Sequence, residues 1–167
     1  MMLRGEHDMK TLIVYYSQAR GNTRRIAEMV QKVIGADIAE IKTVVPYEGT
    51  YEEIVEQGKD EVNHGYTPEI LPISIDGYDR IIIGSPTWWY TMAPAVKTFI
   101  EMHDFTGKTV VPFITHGGWP AHAVSDMIDG LKGARIENEN EIQFDSTGGD
   151  KLVTGQTEID EWIGRLN

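Results

Sequence analysis

Arg80-Ile81-Ile82-Ile83-Gly84 restricts the fold more than any other stretch of this chain. An unbroken run of β-branched residues favours an extended strand, and a strand with no polar side has to be covered on both faces. At this length it cannot cross a bilayer, which takes roughly 20 apolar residues. The cover has to come from amphipathic helices, and the flanking sequence supplies them. Arg24 to Ile34 places Ile26, Val30, Val33 and Ile34 on one helical face, and Ala93 to His103 turns Val96, Phe99 and Ile100 inward. Glu158 to Leu166 aligns Ile159, Trp162, Ile163 and Leu166 in one stripe.

Two more helices are expected. One spans Tyr51 to Val62, opened by the capping box Thr50-Tyr51-Glu52-Glu53 and weakened by Gly58; the other spans Ala121 to Leu131. Further strands read as Lys10 to Tyr16, Asp37 to Val45, Lys108 to Thr115 and a more polar Ala134 to Phe144. Strand and helix alternating along the whole chain describe an α/β fold, an open parallel sheet with helices on both faces.

With 167 residues, 41% hydrophobic and 25% charged, there is material for one ordinary globular domain. No repeat or linker divides it, so residues 9–167 are expected to form a single domain behind a flexible leader, residues 1–8. Asp and Glu outnumber Lys and Arg by 26 to 15, and the net charge of -11 repels nucleic acid and anionic membrane while favouring partners with basic surfaces. The absence of cysteine rules out a disulfide scaffold, a thiolate nucleophile and a Cys-ligated metal. Met1 to Lys10 has no apolar stretch of the secretory kind, and the expected location is cytoplasmic.

Open parallel sheets bind ligands beyond the carboxyl ends of their strands, which directs attention to three loops. Ser17-Gln18-Ala19-Arg20-Gly21-Asn22-Thr23 runs from the first strand into the first helix. Hydroxyl and amide side chains surround a glycine where a helix start leaves backbone N–H groups unpaired, an arrangement that suits a phosphate. An ordinary helix cap by Asn22 or Thr23, with Gly21 making the turn, is the other reading. Neither G-x-G-x-x-G nor G-x-x-x-x-G-K-[ST] is present, so the common dinucleotide and triphosphate sites do not fit. Gly84-Ser85-Pro86-Thr87-Trp88-Trp89-Tyr90 follows the apolar strand with consecutive aromatics, either a surface for a flat ligand or packing shared between core and loop. Thr115-His116-Gly117-Gly118-Trp119-Pro120 offers backbone amides for a ligand edge, or a tight turn. His116 and His122 lack a third ligand for a metal site. Together the loops supply a phosphate cradle, a stacking surface and backbone donors on one sheet edge, the demands of a flavin mononucleotide (FMN).

In these segments the chain resembles the flavodoxin family. The likeness runs from about Met9 to Leu166, through Val14-Tyr15-Tyr16-Ser17, Gly21-Asn22-Thr23, Gly84-Ser85-Pro86-Thr87-Trp88-Trp89 and Thr115-His116-Gly117-Gly118, and the Ala93-Pro94-Ala95-Val96-Lys97-Thr98-Phe99 helix is similar to the short bacterial subgroup. The resemblance implies a doubly wound five-stranded sheet of order 2-1-3-4-5. It also implies FMN phosphate against Ser17, Gln18, Gly21, Asn22 and Thr23, with Arg20 beside them. The isoalloxazine would lie against Pro86, Thr87, Trp88 and Trp89, with Tyr90 adjacent, and its pyrimidine edge would meet Thr115, His116, Gly117 and Gly118. Two positions depart from the family pattern: the loop from Ser17 to Gly21 is one residue longer, with Arg20 in place of a threonine, and Trp89 stands where many members have glycine.

Two functions follow as expectations. The first is low-potential electron transfer between redox partner proteins, with the acidic surface steering docking. The alternative is an FMN-dependent NAD(P)H oxidoreductase acting on quinones or similar small-molecule acceptors, in which Tyr90, His116 and Trp119 would line the substrate pocket.

Overall fold

The computed structural model describes residues 9–18, 21–147 and 149–167. The expected leader and Arg20 lie outside the described residues. The strands are β1 (Thr11–Tyr15), β2 (Asp37–Glu40), β3 (Arg80–Trp88), β4 (Thr91–Met92), β5 (Thr109–His116), β6 (Arg135–Ile136) and β7 (Asn140–Gln143). The helices are α1 (Asn22–Ile34), α2 (Tyr51–Asn63), α3 (Pro94–Glu101), α4 (Ala123–Gly130) and α5 (Gln156–Leu166). The sheet order is β2-β1-β3-β5-β6, with β7 also beside β5, and all of these pairs are parallel. This is the expected doubly wound order.

Ile81, Ile82 and Ile83 are each fully buried, but they serve opposite faces. Ile81 and Ile83 join Leu12, Val14, Val96 and Phe99 in one core cluster; Ile82 joins Ile13, Val111, Phe113 and Trp162 in the other. Each such side chain stabilises the fold by about 1.5–3 kcal/mol relative to exposure. Gly84 lets the Phe113 ring cross the strand beside it: a Cβ there would sit 2.2 Å from Phe113 Cζ.

Three details differ from the sequence reading. The expected fifth strand is broken in two, because Asn138 turns to φ +51° and its carbonyl accepts a 2.6 Å hydrogen bond from the Trp162 indole of α5. Val33 is 54% exposed, so the inward face of α1 is Ile26, Ala27 and Val30. The capping box is half formed, since Thr50 Oγ1 accepts from the Glu53 amide at 3.2 Å.

The remaining difference shapes the site. β3 runs on to Trp88, turns through Trp89 and Tyr90, and pairs antiparallel with β4 in the register Thr87 to Met92 and Trp88 to Thr91. Both turn residues are left-handed, Trp89 at φ +48° and Tyr90 at φ +71°, as a two-residue type I′ hairpin demands. Asn-Gly is the usual pair; a larger L-residue costs about 1–2 kcal/mol in this conformation. Tyr90→Gly is therefore expected to stabilise the protein by about 1 kcal/mol and raise Tm by about 2–4 °C in a thermal melt. An unchanged or lower Tm would show that the turn stores no strain at this position.

Candidate functional site

A cavity of about 520 Å³ opens beyond the carboxyl ends of β1, β3 and β5. At one end, Gly21 takes φ +73° and ψ +27° and α1 begins at the next residue. The glycine is required by backbone conformation rather than space, since nothing lies within 4 Å of a Cβ built there. Gly21 N–H donates to Gln18 O at 3.2 Å, Arg24 N–H to Ser17 Oγ at 3.2 Å, and Arg25 N–H to Gly21 O at 2.9 Å. Among the described residues, the Asn22 and Thr23 amides of the first turn take no protein acceptor, which leaves two donors at the positive end of the helix dipole.

The side chains of Asn22 and Thr23 do not cap the helix. Thr23 is 1% exposed and its hydroxyl is 2.8 Å from Thr115 Oγ1, tying the start of α1 to the end of β5. Thr87 Oγ1 donates to Thr115 O at 3.1 Å, which adds the β3 loop to the same knot. Asn22 Nδ2 donates to Gly149 O at 3.0 Å, while Asn22 Oδ1 is buried with no partner among the described residues. A buried acceptor left unpaired costs about 1–3 kcal/mol, so this atom fits a ligand carrying a hydroxyl.

Trp88 and Trp89 both line the cavity but are held differently. Trp88 packs edge-on against Tyr16 and Tyr47, with ring centroids 5.8 and 5.2 Å away. Trp89 is 37% exposed; its Nε1 donates to Val55 O of α2 at 3.0 Å, and Lys59 Nζ lies 5.3 Å from its ring centroid. Gln18, Pro86, Thr115, His116 and Gly117 also line the cavity, whereas Ser17 and Gly21 bracket the start of α1 and are not in the wall. Tyr90, 58% exposed at the hairpin tip, and Gly118, whose N–H donates to His116 Nδ1 at 3.0 Å, are not in the wall.

Two wall segments escaped the sequence reading. Tyr51, Ile54, Val55 and Gly58 of α2 lie along one side. Gly58 carried the signal: a Cβ there would sit 2.9 Å from Trp88 Cε3, so the mid-helix glycine marks close approach of an aromatic ring. Phe144, Asp145 and Gly149 close the other side. Asp145 accepts from Thr147 N–H, Thr147 Oγ1, Gly149 N–H and Lys151 N–H at 2.7 to 3.1 Å. These bonds, the Thr147 hydroxyl foremost, hold its carboxyl down at about 2 and fix the loop that presents Gly149 O to Asn22.

His116 is kept neutral by its surroundings. Burial holds the imidazole below the ordinary histidine range, with Glu141 acting weakly the other way, and Nδ1 accepts the Gly118 amide. The folded protein thus takes up this proton at lower pH than the unfolded chain. Stability is full above the unfolded value of about 6.5 and falls as pH drops from there toward the folded value. Urea unfolding is expected to show this loss as pH falls below about 6.5, and His116→Gln to flatten it; an unaltered slope in the variant would remove His116 as its source. His122 turns to Asp126 instead, and among the described residues no cluster of three His, Asp or Glu side chains forms a metal site.

The flavodoxin family model matches residues 10–163, nearly the whole chain. The chain belongs to the flavodoxin family. Among its flavodoxin relatives, Flavodoxin 1 of Salmonella typhimurium is 28% identical over 104 residues, covering 60% of this chain and 46% of that protein. The flavodoxin of Haemophilus influenzae is 29% identical over 101 residues, covering 58% and 45% respectively. The matched stretch thus spans about half the length of these curated relatives. Among solved structures, a Lactobacillus acidophilus flavoprotein in complex with FMN aligns with a TM-score of 0.71 at 25% identity, covering 92% of this chain and 98% of that one. A Bacteroides uniformis protein aligns with a TM-score of 0.76 at 26% identity, covering 93% and 98%. The flavodoxin fold therefore extends over the segments that the curated sequences leave unmatched.

Proposed function

We propose that this protein binds FMN in the cavity and carries electrons between redox partners. One observation carries the reading: a helix start whose first two amides take no acceptor among the described residues, an indole-lined wall and a strand-end loop border a single cavity of about 520 Å³. Asn22 and Thr23 amides and the Gln18 side chain hold the phosphate, and Asn22 Oδ1 takes a hydroxyl of the ribityl chain. Trp88 and Trp89 cover the ring and exclude water from it, and the Thr115 to Gly117 backbone meets its polar edge. The bound flavin supplies the redox chemistry, while the protein sets its potential through stacking, hydrogen bonds and charge.

The net charge of -11 disfavours added negative charge at the site and draws basic partner surfaces, with an association rate that falls with salt. Among the described residues no helix is long and apolar enough to cross a membrane. A cytoplasmic carrier is the reading these features support. An oxidoreductase would need side chains shaping a substrate pocket over the flavin; of the three expected there His116 lines the cavity, while Tyr90 and Trp119 stand 58% and 70% exposed and outside its wall.

The test is purification without added cofactor, visible absorption, and anaerobic titration with dithionite. The expected result is a yellow protein with an FMN spectrum, reduced in two resolved one-electron steps. A colourless protein that also fails to take up added FMN overturns the cofactor; a single two-electron step overturns the carrier.

A further inference from the structure

Behind the indole wall lies a group that flavin binding does not use. Glu61 of α2 is only 9% exposed. Its Oε1 accepts the Tyr47 hydroxyl at 2.6 Å and its Oε2 accepts Gln57 Nε2 at 3.0 Å. With both oxygens acting as acceptors, the carboxylate is a base already aimed at the phenol proton. The Tyr47 ring in turn meets Trp88 at 5.2 Å, and Trp88 borders the cavity. A buried carboxylate, a phenol and an indole thus form one contiguous line running inward from the site.

From this line we infer that Trp88, Tyr47 and Glu61 form a proton-coupled electron-donating relay, able to refill an electron vacancy created at the cavity wall. It rests on the FMN reading for its natural oxidant, a photoexcited oxidised flavin in the cavity. One electron passes from Trp88 to that oxidant, leaving an indole radical cation. Tyr47 then gives one electron to Trp88, restoring the neutral indole, while its Oη proton moves to Glu61 Oε1. The products are a neutral tyrosyl radical, a protonated Glu61 and the oxidant carrying the one electron taken from Trp88, so charge and atoms balance.

The geometry chooses between two tyrosines touching the same indole. Tyr16 lies 5.8 Å from Trp88, but its hydroxyl donates to the Gln18 amide oxygen at 2.8 Å, a group too weakly basic to keep the proton. Burial raises both phenols well above the ordinary tyrosine range, so neither loses its proton to solvent first. Of these two phenols, it is Tyr47 that donates to a carboxylate among the described residues.

The full chain loaded with FMN is excited with a blue flash, and the radicals are followed by transient absorption and by freeze-quench paramagnetic resonance. The expected result is a tyrosyl signal that forms as the indole radical decays, more slowly in deuterium oxide. Tyr47→Phe abolishes it, Glu61→Gln slows its formation about tenfold or more, and Tyr16→Phe leaves it unchanged. The relay is overturned if Tyr47→Phe gives the wild-type tyrosyl yield, or if only the indole radical appears. FMN uptake is read from the absorption of the same sample. Should the chain take up no FMN, that reading fails by itself, and a photogenerated ruthenium(III) polypyridine added as oxidant tests the relay by the same comparison of variants. The isotope dependence decides the outcome in the wild type should a variant misfold.

Discussion

Gly84→Ala is expected to cost about 3 kcal/mol or more and to lower Tm by roughly 6–12 °C, although it adds one methyl group to an apolar strand. Alanine favours a strand no less than glycine, and local propensity alone predicts no loss. The cause is the ring of Phe113, whose Cζ, Cε1 and Cε2 all lie within 2.8 Å of where the new Cβ would stand. Phe113 cannot yield easily, because it is fully buried and packs edge-on against Trp162 at 5.5 Å, on the floor of α5. The consequence reaches the site, since β3 continues from Gly84 directly into Pro86, Thr87 and Trp88 of the cavity wall. Chemical denaturation followed by far-ultraviolet dichroism measures the effect. A loss under 1 kcal/mol would mean the sheet opens locally and the Phe113 contact is soft.

Asn22→Ala combined with Thr23→Ala is expected to weaken FMN binding about 100-fold and riboflavin binding by less than about tenfold. The unequal loss comes from what each side chain supports. Thr23 anchors the first turn of α1 to Thr115, and Asn22 anchors it to the Gly149 loop; without both, the two amides proposed to hold the phosphate lose their fixed aim. The smaller shared loss reflects Asn22 Oδ1, an acceptor positioned for a hydroxyl that both flavins carry. Titration of flavin fluorescence with each ligand separates the two. Equal losses would place the phosphate elsewhere in the cavity.

Much of this was legible in the sequence. The apolar run at Ile81 to Ile83, the periods of α1, α3 and α5, and the three glycine- and aromatic-containing loops lead to the sheet and to the edge where the cavity lies. These are local signals: hydrophobic period reports which faces must be buried, and turn residues report where a strand stops. The same locality explains the errors. Val33 has the right spacing for the core yet stands exposed on α1, and Ala134 to Phe144 reads as one strand until Trp162, far along the chain, takes the carbonyl of Asn138.

By itself, then, the sequence determined an open parallel α/β sheet with helices on both faces, the loops that would meet at its carboxyl edge and the net acidic charge of the chain. Tertiary structure alone decided how those loops are held. The Thr23–Thr115 pair and the Asn22–Gly149 bond join residues 92 and 127 positions apart, and no spacing rule links them. It also decided that Trp88 and Trp89, adjacent in sequence, have separate roles: one is braced by Tyr16 and Tyr47 and backed by the Glu61 pair, the other is tied across to α2. The physical reason is one of range. Secondary structure answers to neighbours within a turn or a pleat, whereas hydrogen bonds and ring contacts answer to whatever the packed sheet brings within a few ångströms.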